Sequence, residues 1–210
     1  MKAQEVLKRK AEGNAQITVI SVITLVMLLL ILLFGMFQLS TEYLAFKSKE
    51  VFREALMAGD CIDRVCYDTG SEAFMSCNGV THCTPQNCIY ENNTSGAAIS
   101  AAYNAAQERF KQSIQTGLKL DSQMNPLSSS PVKSVMVESF KIYNVTDSFI
   151  YEYDGSTVTE YPNNSDITAP DGTVIKNSGI YAKIQIKLND YTGMTTLGFD
   201  EFMAVRTERN

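Results

Sequence analysis

KRKAEGNAQITVISVITLVMLLLILLFGMFQL, Lys8 to Leu39, decides the architecture of this chain. It passes from a basic cluster through Gly13 into Ile17–Leu39, 23 residues without a charge. At about 1.5 Å rise per residue a helix of that length covers roughly 35 Å, enough to cross the hydrocarbon core of a bilayer with some tilt. A cleaved secretory signal fits worse, because its apolar stretch runs about 7 to 15 residues and ends at a small-residue A-x-A site. Helix-compatible residues continue through TEYLAFKSKEVFREALMAGD, Thr41–Asp60, with no proline and with Gly35 as the weak point behind it. The helix is therefore predicted to reach about Met57 and to stop at Gly59 and Asp60.

Charge then orients the segment. Lys2, Lys8, Arg9 and Lys10, set against Glu5 and Glu12, place the N-terminus in the cytoplasm by the positive-inside rule, and everything after the span lies outside. With 210 residues and a net charge of -5, the chain has room for an anchor and one ordinary domain. No Lys/Arg cluster occurs beyond the first ten residues, so no nucleic-acid partner is expected. Past the span, Leu44, Val51, Phe52, Ala55 and Leu56 recur at helical spacing, with Lys47, Lys49, Glu50, Arg53 and Glu54 on the other face. Such an amphipathic extension packs on its own outer domain or, in the sharper reading, also on neighbouring subunits.

A short basic leader, a glycine and then an uncharged helix without a spacer is the layout of a prepilin-type signal. On Lys8, Arg9, Lys10, Gly13, the run Ile17–Phe37, and Glu42, Tyr43 and Ala45, the chain resembles minor pilins of the tight-adherence (Tad, Flp) pilus system, particularly TadE-like pseudopilins. The resemblance covers roughly residues 8–60. It implies cytoplasmic-side cleavage between Gly13 and Asn14 by a prepilin peptidase, with the helix retained. It further implies a structural, non-enzymatic role in assembling or decorating a Tad-type pilus or its secretion platform, in cell adhesion or secretion. The partners implied are the membrane, other pilin subunits and pilus assembly proteins. The sequence departs from the pattern at Thr18, fifth from Asn14, where pilins usually carry a Glu that pairs with the N-terminal amine of a neighbour; Thr holds no charge. Thr18, Ser21 and Thr24 recur at three-residue steps and either make helix–helix contacts in the bilayer or bond their own backbone. The alternative function is that of an uncleaved single-pass protein whose outer domain binds a ligand or partner.

Four regions follow: a leader at 1–13, a transmembrane and extended helix at 14–60, a cysteine-rich loop segment at 61–95 and an extracytoplasmic domain at 96–210. Cys61, Cys66, Cys77, Cys83 and Cys88 all fall in the third. In an oxidising compartment this clustering reads as disulfides. Zinc held by thiolates with His82 is disfavoured, since the spacings lack the C-x2-C knuckle. The number is odd, so one thiol is left over or pairs between chains, and the connectivity stays open. In the fourth region Ile99, Tyr103, Ala106, Phe110, Ile114 and Leu118 mark an amphipathic helix over 97–118. DSQMNPLSSSPVKS is a connector. Period-two alternation then predicts strands from about 133 to 208: Lys133–Asn144, Ser148–Asp154, Ser156–Tyr161 after an Asp154–Gly155 turn, Gly179–Leu188 and about Phe202–Thr207. The expected fold class is α+β, a meander laying one apolar face on the helix, which is pilin-like architecture.

Other chemistry finds little footing. Asn163, Asn164, Asp166 and Asp171 in YPNNSDITAPDGT offer oxygen ligands to calcium, but without EF-hand spacing, and Pro, Asn, Asp and Gly are what turns require. There is no nucleotide-binding glycine loop, no G-x-S-x-G and no H-E-x-x-H, so no metal, cofactor or catalytic residue is assigned. The Asn-x-Ser/Thr triplets at Asn92, Asn93, Asn144 and Asn163 bear on glycosylation only in a eukaryotic secretory setting.

Overall fold

No proline precedes Pro85, and the first helix, α1, runs unbroken over Lys2–Gly59, passing through both Gly13 and Gly35. The structure is a computed structural model, and it describes residues 2–59, 96–145, 148–190 and 195–204. The remaining elements are α2 (Gly96–Leu118), β1 (Val132–Val145), β2 (Phe149–Tyr153), β3 (Val158–Pro162), β4 (Gly179–Leu188) and β5 (Thr196–Ala204). The chain divides into two units, Met1–Tyr43 and Leu44–Asn210.

The first unit is helix alone. The second is α+β and holds the core. Within it, the stretch of α1 from Leu44 onward buries Ser48, Val51, Phe52, Ala55 and Leu56 at steps of three and four. The Phe52 ring stands edge-on to Phe110 of α2 at 6.2 Å and stacks on Phe199 of β5 at 5.8 Å. Ile99, Ala102, Tyr103, Ala106, Phe110, Ile114 and Leu118 bring the predicted face of α2 into the same core. Ile180, Ala182, Ile184, Ile186 and Leu188 of β4 are all at 0% exposure, as the alternation in GIYAKIQIKL predicts.

The sheet is antiparallel with the order β3-β2-β1-β4-β5. This is not the expected meander. β4 returns to lie beside β1, giving the four-strand Greek-key order. β3 is short, mostly exposed and closed by Pro162, whereas β4 is buried at every inward position and on both faces over Gly179–Ala182, and needs a place inside the sheet. β1 supplies that place through two register shifts, at Val132/Ser134 and Val137/Ser139. An extra residue in one strand reverses which face the following side chains occupy. The shifts allow Val132, Val135, Val137, Phe140 and Ile142, which no strict alternation could align, to share the core on the helix side.

Two further expectations are corrected. β5 begins at Thr196, six residues before the predicted Phe202, because Leu197, Phe199 and Met203 turn toward the core between Gly198, Asp200 and Glu201, which mask the apolar alternation; positions 205–207 lie outside the described residues. Nor is one apolar face the whole account of the sheet. The connection from β3 to β4 crosses its other face, and there Ala169 and Ile175 cover Tyr143, Ile150, Tyr181 and Phe202 as a second, smaller core. The Asp171 carboxylate fixes this connection by accepting from the Phe202 amide at 2.7 Å.

α1 and α2 meet at a glycine. A Cβ at Gly117 would lie 2.4 and 2.8 Å from the two γ-methyls of Val51, closer than such atoms approach. Alanine in a helix interior ordinarily gains up to about 1 kcal/mol over glycine. Here overpacking, at about 1–3 kcal/mol, reverses the sign. Gly117→Ala is expected to lower the denaturation midpoint of the α+β domain, and adding Val51→Ala to recover part of the loss; a stabilised single variant would contradict the packing described.

Candidate functional site: the exposed apolar helix

The first unit presents an unusual surface. The large aliphatic side chains from Ile17 to Leu33, with Phe34, Met36 and Leu39, are between 48% and 67% exposed, and they point all round the helix. A helix in a water-facing domain carries an apolar stripe, whereas one apolar on every side belongs in lipid or in the interior of an assembly. The segment is long and apolar enough to cross a membrane. At the bilayer centre each Leu, Ile, Val or Phe favours insertion by about 0.3–0.6 kcal/mol, and no charge is present whose roughly 2.5–3.5 kcal/mol cost would offset several of them.

The polar residues within this surface are few. Thr18, Ser21 and Thr24 stand on successive turns, exposed, and three-residue steps make them neighbours along one side of the helix. The Thr24 hydroxyl donates to the Ile20 carbonyl at 2.9 Å, so its hydrogen-bonding need is met within its own helix. Thr41 does the same with Phe37 at 3.1 Å. The Gly13–Asn14 peptide lies inside α1, with helix on both sides of it. The five cysteines, Cys61, Cys66, Cys77, Cys83 and Cys88, together with His82, Asn92 and Asn93, lie outside the described residues.

The second unit brings together none of the suggested calcium ligands. Asn163 and Asn164 are exposed in a turn and Asp166 is exposed beyond it, while Asp171 accepts from Thr173 N, Thr173 Oγ1 and Phe202 N. Among the described residues no three of His, Cys, Asp or Glu stand close enough to hold a metal ion. Asn144 is buried in β1, whereas Asn163 is exposed at the turn closed by Ser165 N donating to Pro162 O. Charged side chains pair across strands and elements: Lys141 with Glu152 at 2.5 Å, Lys183 with Glu138 at 2.9 Å, and Arg53 of α1 with Glu201 of β5 at 3.0 Å. The first pair is the most shielded. The other two stand in water and contribute little.

The predicted Asp154–Gly155 hairpin turn is a tight joint. Gly155 has φ +98°, and an added Cβ would stand 2.9 Å from the Tyr103 ring of α2. Asp154 Oδ1 accepts from Thr157 N at 2.9 Å, Ser156 N at 2.9 Å and Ser156 Oγ at 2.8 Å. Sequence reasoning finds the turn; its docking on Tyr103 depends on tertiary placement. Tyr43, exposed one turn past the apolar run, is likewise visible in sequence only as part of the extension.

No protein-family model, curated protein or solved structure matches the chain. Its function is therefore read from its own residues.

The three bonds at Asp154, the Thr157 amide foremost, hold its carboxyl down at about 2. A folded-state value below the ordinary 3.8 means that the stabilisation is present above the ordinary value and is lost as pH falls from about 4 to about 2. Because the group faces solvent, its worth is discounted to about 1 kcal/mol, below the roughly 1.5–3 kcal/mol of a shielded charged hydrogen bond. Asp154→Ala is expected to lower stability by about that amount at neutral pH and to flatten the acid limb of the stability profile over that window. An unchanged limb, followed by chemical denaturation, would rule the turn out as its source.

Proposed function

We propose that this chain is a structural membrane-anchored subunit, a minor pilin or pseudopilin of the TadE-like kind. It takes part in assembling or decorating a Tad-type pilus or its secretion platform at the cell surface. One observation carries the reading: α1 is uncharged and exposed on every side over Ile17–Leu39, directly behind a basic cluster and Gly13, and its last residues belong to the core of an α+β domain. A pilin needs that combination, an apolar helix left bare for lipid or for other subunits and a folded domain built onto the end of the same helix.

In this reading residues 1–13 lie in the cytoplasm, a prepilin peptidase cuts between Gly13 and Asn14, and the domain after α1 lies outside the membrane. There the cysteine segment meets an oxidising compartment and forms disulfides. The partners are the membrane, other pilin subunits and pilus assembly proteins. No catalysis and no cofactor is part of the role. Thr18 sets a limit on mechanism: a subunit without a carboxylate there assembles through apolar packing and does not use an intramembrane ion pair.

Thr18 also favours a second reading, an uncleaved single-pass protein whose outer domain binds a ligand or partner. Intact mass and N-terminal sequencing of the protein from its native membrane separate the two. A chain beginning at Asn14 is expected, with Gly13→Leu leaving the precursor uncut. Retention of Met1–Gly13 in the unsubstituted protein would exclude the processed pilin and leave the single-pass receptor.

A further inference from the structure

The length of the uncharged helix identifies what covers it. Glu12 and Glu42 are the charges nearest the apolar run, and the 29 residues between them, Gly13–Thr41, cover about 44 Å as a helix. A bilayer measured with its headgroup layers is roughly 40–45 Å thick. A groove on another protein imposes no such length, so the match favours lipid as the occupant.

The two ends of this stretch differ in chemistry. Residues 1–16 contain no aromatic side chain, and the inner end is instead marked by Lys8, Arg9 and Lys10, which attract anionic headgroups. The outer end carries Tyr43, 63% exposed. With Leu28 at the middle of Ile17–Leu39, Tyr43 stands 15 residues farther along, about 22 Å from the midplane, or about 21 Å at a tilt of about 20°. That is the level of the headgroups, where a ring with an apolar body and a wet hydroxyl is most at home. The neighbouring Glu42 is exposed, and at this level its charge reaches water.

Resting on the membrane reading above, we infer that Tyr43 is the outer anchor of the span. Its ring lies among the phospholipid headgroups of the outer leaflet and, together with Lys8–Lys10 at the inner face of the uncut chain, sets the depth of α1 so that Leu28 sits at the midplane.

The chain contains no tryptophan, so a single Trp is a clean reporter of depth. Leu28→Trp and Tyr43→Trp are each made in the full chain and reconstituted in phosphatidylcholine–phosphatidylglycerol vesicles. The lipids are brominated either near the headgroup end or near the methyl end of their acyl chains. The Leu28→Trp emission is expected to be quenched about twofold more by the deep bromines, and that of Tyr43→Trp about twofold more by the shallow ones. Quenching at Leu28→Trp without quenching at Tyr43→Trp, or deeper quenching at Tyr43→Trp, overturns the anchor while the span stands. Absence of quenching at Leu28→Trp overturns the membrane reading itself and the anchor with it.

Discussion

Phe52 touches three elements at once: it belongs to α1, meets Phe110 of α2 edge-on and stacks on Phe199 of β5. Around it Ala55 and Leu56 are as fully buried as the inward residues of β4, and Val51 nearly so. Burying a Val, Leu or Phe side chain contributes about 1.5–3 kcal/mol, so these few residues supply a large part of what a small domain has to spare. The last part of α1 is thus a core element of the α+β domain. Without it the apolar faces of α2 and of the sheet lose the layer that lies between them at Phe52.

That constraint gives α1 two compositions. From Leu44 onward it is amphipathic, with one face committed to the core and Arg53 reaching Glu201 from the other. From Ile17 to Leu39 it is apolar all round, and its large aliphatic side chains stand about half or more exposed. A chain that leaves so much apolar surface bare requires an apolar surrounding, whether lipid or the helices of neighbouring subunits. A helix crossing lipid needs no further device than the absence of charge. A helix that also enters an assembly needs something to fix its register, and a buried ion pair is one such device. Thr18 supplies no carboxylate for such a pair, and the Thr24 hydroxyl is committed to the Ile20 carbonyl of its own helix.

What the sequence makes legible follows the range of the physics involved. The apolar run, the amphipathic faces of both helices and the alternation in β4 are local periodicities, and α1, α2 and β4 stand where those patterns put them. The Greek-key order was not legible, because it depends on where β4 finds its best-buried place. The two register shifts in β1 were hidden for a related reason, since a strand with extra residues has no single period to read. The first half of β5 is masked in the sequence because Gly198, Asp200 and Glu201 break its pattern although Leu197, Phe199 and Met203 pack inward. At the candidate site, exposure of Ile17–Leu39 follows from its composition. The engagement of Asp171 with Phe202, which turns a suggested calcium ligand into a structural tie, required the fold.

Hydrogen–deuterium exchange on the full chain in detergent tests most directly whether the end of α1 is a core element. Peptides covering Leu44–Gly59 are expected to exchange as slowly as those of β1 and β4 and to lose protection together with them as denaturant is added, since a shared core opens as one unit. Rapid exchange of Leu44–Gly59 while β1 and β4 stay protected would show that the rest of the α+β domain folds without it, and would contradict the account.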